Sequence, residues 1–140
     1  MAIKKQEFYE GAALHLLIRG GGVTKIVYKA PLFEVNDRLL ILLKYTTKGR
    51  SPWGFTFMPD EQILLHTMER SRPLVIGLIC AFDGVAVITE GDFRSLASPT
   101  NWSVHISCYR EHRGHYEING PIGTLPRKVP PIDWQRLLDQ

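Results

Sequence analysis

The chain has 140 residues, 44% of them hydrophobic, 22% charged and 10% aromatic, a balance that excludes a disordered segment, a fibre or a repeat array. Nine of the 17 Lys/Arg but only four of the 14 Asp/Glu lie within residues 1–50, so any basic surface is expected from the first third.

Residues 3–19 place Lys5, Phe8, Tyr9, Ala12, Ala13, Leu16 and Leu17 at helical offsets, with Glu7, Glu10 and Gly11 opposite. This spacing predicts an amphipathic helix, stopped by Gly20-Gly21-Gly22. Residues 23–29 and 38–45 are rich in β-branched and aliphatic side chains and read as strands, with Pro31 interrupting between them and Asn36-Asp37 as a tight turn. A third strand, 53–57, sets Trp53, Phe55 and Phe57 on one face. Pro59-Asp60-Glu61 then opens a helix expected to carry Ile63, Leu64 and Met68 and to end at Arg70 and Arg72, each charge suiting the dipole.

Residues 74–82 and 85–89 flank Asp83-Gly84, a strong hairpin signal, and read as central strands. Residues 90–97 form a short helix that ends before Pro99. Trp102, Val104, Ile106 and Cys108 alternate with Ser103, His105, Ser107 and Tyr109, giving a strand with one dry and one wet face. Its partner begins at His115. Pairing Ile106 with Ile118 and Cys108 with Tyr116 keeps apolar side chains together and leaves a loop from Arg110 to Gly114. The stretch from Gly120 to Pro131 reads as a lid or strap, and Ile132, Trp134, Leu137 and Leu138 as a short docking helix. This order predicts one α+β domain over residues 1–140: a mixed, mostly antiparallel sheet flanked by an N-terminal helix and two or three shorter ones.

The stretch Lys44-Tyr-Thr-Thr-Lys48-Gly-Arg50-Ser-Pro-Trp53 concentrates cations, hydroxyls and aromatics at a strand–loop–strand junction. Cations neutralise phosphates, hydroxyls orient them and aromatic faces stack on bases. Lys44, Lys48, Arg50 and Trp53 are therefore the expected ligand-binding residues; the alternative is a solvated loop with Tyr45 and Trp53 in the core. A second candidate is the wet face of the late hairpin, where His105, His115 and Glu117 offer imidazole and carboxylate to a divalent metal or to acid–base work. Its alternative is an ordinary solvated strand face. The triple glycine follows a helix and precedes a strand, the reverse of a phosphate loop, and no nucleophile elbow occurs.

The order helix, three strands, helix, strand over the first 82 residues resembles the core of the restriction-endonuclease-like, or PD-(D/E)XK, superfamily. The resemblance implies a metal-dependent phosphodiesterase, with Glu10 standing for a helical Glu, Asp37 for the first acid and Lys44 for the lysine. The strand starting at Trp53 has no Glu/Gln-x-Lys, and Pro59-Asp60 opens a helix. A non-catalytic relative that keeps the sheet and a basic edge fits this pattern.

The resulting expectation is a small cytoplasmic accessory domain, with no cofactor, that binds nucleic acid or another phosphate-bearing ligand without catalysis. A metal-dependent nuclease and a protein–protein module or homodimer are the alternatives. The lack of a signal-peptide pattern, of a ~20-residue apolar run and of exposed-looking cysteines (Cys80 and Cys108 fall in buried-type strands) supports the cytoplasm and argues against a membrane.

Overall fold

A computed structural model describes residues 2–67 and 70–139. Its elements are α1 (Lys5–Arg19), β1 (Ile26–Lys29), β2 (Leu32–Val35), β3 (Leu39–Thr46), β4 (Trp53–Phe57), α2 (Pro59–Leu65), β5 (Leu74–Cys80), β6 (Val85–Thr89), α3 (Glu90–Leu96), β7 (Val104–Arg110), β8 (Tyr116–Gly120), β9 (Gly123–Thr124) and α4 (Ile132–Gln135). The α+β class is as expected, but the strands divide into two sheets. One has the order β1-β2-β3-β5-β6 and the other β4-β7-β8-β9. Every pairing is antiparallel except β3 with β5.

Alternation of side chains sets the layers. In β3, Ile41 and Leu43 face α1 and Trp134 of α4, whereas Leu42 faces the second sheet with α2 and α3. The first sheet is thus covered on both faces, which is why β5, Leu-Val-Ile-Gly-Leu-Ile-Cys, is buried throughout. β3 is already flanked by β2 and β5, so β4 stacks Trp53, Phe55 and Phe57 over the first sheet and pairs with β7 instead. Among the described residues no helix is long and apolar enough to cross a membrane.

Several expectations need correction. β2 was hidden behind Pro31. The sheet-facing stripe of α1 runs through Tyr9, Ala13 and Leu17, leaving Lys5, Phe8 and Ala12 exposed, because each of the last two lies one residue, about 100°, from the buried row. α2 ends at Leu65, short of both arginines; Arg70 still reaches back to donate to the Leu64 carbonyl of its last turn and pairs with Glu90, whereas Arg72 leaves the helix and pairs with Glu34. Met68 lies outside the described residues. β6 is an outer strand rather than a central one. Ile132 is exposed, while Trp134 does the docking.

The β7–β8 register differs by two residues from the apolar match, with Cys108 opposite Ile118 and Arg110 opposite Tyr116. Side-chain pattern fixes which face a residue takes, and a two-residue shift preserves every face. The stretch after Gly120 is no lid. β9 pairs with β8, Val129 bridges to Tyr116, and Leu125 and Val129 enter the core.

Glu34 on β2 is buried between cations, with Lys29 Nζ at 3.1 Å and the Arg72 guanidinium beside it. The Arg72 guanidinium, then the Lys29 ammonium, holds its carboxyl below the ordinary glutamate range. A lowered folded pKa contributes stability above the unfolded value that is lost as pH falls through the folded one. Glu34→Gln should therefore lower the urea midpoint at neutral pH, and the deficit should shrink as pH falls below about 4. A deficit that stays constant across an acid titration would contradict this.

Candidate functional site

Because β4 and β7 are antiparallel, with Trp53 opposite Cys108, the loop entering β4 and the loop leaving β7 emerge at one end of the second sheet. Residues 47–52 form the first and 111–115 the second. The Ser51 hydroxyl donates to the Arg110 carbonyl at 3.2 Å and ties them together. A cleft of about 320 Å³ opens there, lined by Arg50, Ser51 and Trp53 on one side and by Asp83 and Arg110 to Arg113 on the other.

The back of the cleft is rigid. Asp83, in the β5–β6 turn, accepts from Arg110 Nη1 at 2.8 Å and from the Tyr116 hydroxyl at 2.7 Å. Arg110 also donates through Nε to the Gly114 carbonyl and lies 5.3 Å from the Tyr116 ring centroid. Burial alone would lower the Arg110 pKa, but the hydrogen bond and charge of Asp83 raise it overall. Burial, reinforced by Asp83, raises that of Tyr116, so the phenol stays a neutral donor. Asp83 and Arg110 offset each other in charge. Further positive charge comes from the two loops, where Lys48, Arg50 and Arg113 are exposed and make no ion pair among the described residues, the last two lining the cleft itself. Glu111 is the one acid in the 111–115 loop, beside His112 and His115.

Of the four expected ligand residues, Arg50 and the buried Trp53 line this cleft, Lys48 lies exposed in the same loop outside the lining, and Lys44 is elsewhere. Lys44 points from β3 toward α2, where its ammonium lies 2.8 Å from Glu61 and 5.1 Å from the Phe57 ring centroid. Trp53 is 3% exposed, and its indole N–H donates to the Lys48 carbonyl. It braces the loop from beneath and offers no face to a base. Arg113 and His112, absent from the sequence-based set, take their places. Their local signal, a basic turn closed by Gly114, gains meaning only once β4–β7 pairing brings the loops together.

Comparisons with protein-family models, curated proteins and solved structures return no match for this chain.

Of the three residues implied by the nuclease resemblance, Glu10 and Lys44 share a cleft and Asp37 stands apart. Glu10 and Lys44 line a cleft of about 280 Å³ with Glu61, and burial raises the Glu10 pKa against the opposing Gln6 hydrogen bond. Asp37 sits in the β2–β3 turn, paired with Lys25 at 3.3 Å, at the other end of β3 and roughly 20 Å from Lys44 by strand rise. His105 and His115 lie near opposite ends of the β7–β8 hairpin, while Glu117 stands opposite Tyr109. His105 instead lies over Gly54, where a Cβ would meet its ring at 2.5 Å. Among the described residues no three His, Cys, Asp or Glu side chains converge as a metal site.

Proposed function

We propose that this domain is a non-catalytic, cytoplasmic accessory protein that binds the phosphate backbone of nucleic acid through Lys48, Arg50 and Arg113, with His112 beside them. The observation that carries this reading is the Ser51–Arg110 hydrogen bond, which joins two basic loops far apart in sequence around one cleft. Unpaired cations on such a rim exchange condensed counterions for phosphate contacts, and that exchange drives sequence-independent binding. With Trp53 buried, recognition rests on the backbone rather than on stacked bases.

Fluorescence anisotropy with labelled single- and double-stranded oligonucleotides, each measured at two salt concentrations, tests the reading. Binding should weaken steeply with salt. Removing Lys48 and Arg50 together by alanine substitution should reduce the logarithmic salt slope by about 2 and weaken all sequences alike. Absence of salt-sensitive binding at micromolar protein overturns it.

A further inference from the structure

The exposed ring that the basic loops lack stands beside them. Parallel pairing of β3 with β5 sets Thr46 opposite Cys80, so the chain leaving β3 reaches Lys48 at the same end of the sheet where the chain leaving β5 reaches Phe82. Asp83, the next residue, lines the cleft together with Arg50 and Arg113. Phe82 turns the other way, toward α1, with its ring centroid 6.1 Å from that of Tyr9. It is 94% exposed. Chain reversals ordinarily use small or polar residues, not a phenyl group in water.

The turn fixes where that ring stands. Ala81 adopts φ +51 and Gly84 φ +152, the first a conformation that costs a residue with a Cβ free energy. Backbone N–H groups of Cys80 and Asp83 donate to the carbonyls of Gly84 and Cys80, and Arg110 and Tyr116 hold the Asp83 carboxylate. A platform tethered in this way loses little freedom when a flat ligand settles on it. On the far side of the ring, Lys5 of α1 and Phe82 border an apolar groove of about 650 Å³. Lys5 is exposed and makes no ion pair among the described residues. Cations therefore flank the ring.

We propose, resting on the phosphate-backbone reading of the cleft, that the ligand is a single strand and that Phe82 stacks on one of its unpaired bases. Inside the cleft the contact is with backbone, because Trp53 is buried; Phe82 stands outside the cleft and supplies the aromatic face. A strand whose phosphates meet Arg50 and Arg113 crosses the turn, lays a base on Phe82 and brings its next phosphates toward Lys5. Aromatic faces accept any base, so the contact is sequence-tolerant. Duplex bases are stacked on one another and show only their edges in the grooves, so a ring on a fixed turn finds no face there. A membrane surface fits less well, since Glu7 and Glu10 flank Phe8 on α1 and would meet anionic headgroups.

Fluorescence anisotropy of the full chain with three labelled probes of equal length reads this directly: an oligothymidine strand, an abasic strand with the same number of phosphates, and a duplex. Phe82→Ala should weaken oligothymidine binding by about 5- to 150-fold, the effect of removing an aromatic from one base. Its affinity for the abasic strand and the duplex, its logarithmic salt slope and its circular dichroism spectrum should match the parent's. Phe82→Trp should bind oligothymidine at least as tightly as the parent, whereas Lys48→Ala should weaken all three probes. If the parent shows salt-sensitive binding but Phe82→Ala binds oligothymidine equally well, the stacking proposal is overturned while the backbone reading stands. Equal losses by Phe82→Ala on the abasic strand or the duplex overturn it too, because the ring would then be contacting something other than an unpaired base. If Phe82→Ala abolishes sedimentation with phosphatidylserine vesicles and leaves oligothymidine binding intact, the ring is a membrane anchor and the proposal is overturned. Absence of salt-sensitive binding to every probe overturns the backbone reading and the stacking proposal together.

Discussion

Trp134→Ala should lower the free energy of unfolding by about 3–5 kcal/mol, the range for truncating a fully buried large aromatic. The side chain is completely buried, and its indole N–H donates to the Ala13 carbonyl of α1 at 2.8 Å. It reaches the sheet because residue 77 is glycine: a Cβ there would lie 3.1 Å from the indole ring and 2.7 Å from Leu43. One ring therefore fastens a four-residue helix, which has no stability of its own, to both α1 and β5. The cavity left by alanine would sit between layers held by several separate elements and could not collapse readily. Trp134→Phe keeps much of the apolar volume and forfeits the hydrogen bond, which contributes about 1 kcal/mol, so it should fall well short of the alanine loss. Urea unfolding followed by circular dichroism checks both, with a thermal shift of about 3 °C per kcal/mol at this chain length. A midpoint within error of the parent for Trp134→Ala would mean that α4 does not dock as described.

The elements that the sequence shows clearly are those set by neighbours along the chain. α1 follows from its periodicity, β4 from the alternation of Trp53, Phe55 and Phe57, and the β5–β6 hairpin from Asp83-Gly84 between apolar runs. β2 is illegible because four residues squeezed between Pro31 and Asn36-Asp37 carry no period. Alternation states that Trp53 is buried on one face without saying against what, so the division into two sheets was also out of reach. The site follows the same rule. Lys48 and Arg50 stand out in one loop, but Arg113 joins them only through β4–β7 pairing. Lys44, four residues from Lys48, is withdrawn because strand alternation turns it toward Glu61.

Register is the clearest instance of tertiary packing overruling a local match. Apolar matching sets Ile118 across from Ile106, yet the structure leaves Ile106 level with Gly120, beyond the last of the paired residues. The reason lies in α3, whose last residue, Leu96, presents its carbonyl to the Ile122 N–H at 3.0 Å. A Cβ on Gly120 would lie 2.5 Å from that carbonyl oxygen, 2.7 Å from Leu96 Cβ and 3.0 Å from Ile106 Cδ1. Only glycine lets the β8–β9 turn and the end of α3 meet there.

Gly120→Ala should accordingly destabilise the chain by about 1–3 kcal/mol, the cost of overpacking a well-filled interior, although alanine in place of a strand glycine ordinarily gains roughly 0.5–1 kcal/mol. The backbone at Gly120 does not require φ in the left-handed region, so the loss would be steric rather than conformational. Relief requires either α3 to withdraw, breaking the Leu96–Ile122 hydrogen bond, or β8 to slide by two residues, which would carry the Arg113 loop away from Ser51 and Arg50. Amide hydrogen exchange separates the two routes: faster exchange at Ile122 alone marks the first, and faster exchange along β7 and β8 with weaker oligonucleotide binding marks the second. Gly49→Ala is the control, since nothing lies within 4 Å of a Cβ at that position, and it should stay within about 0.5 kcal/mol of the parent. Equal unfolding midpoints for the two variants would show that the close approach of Leu96 to β8 does not select the register.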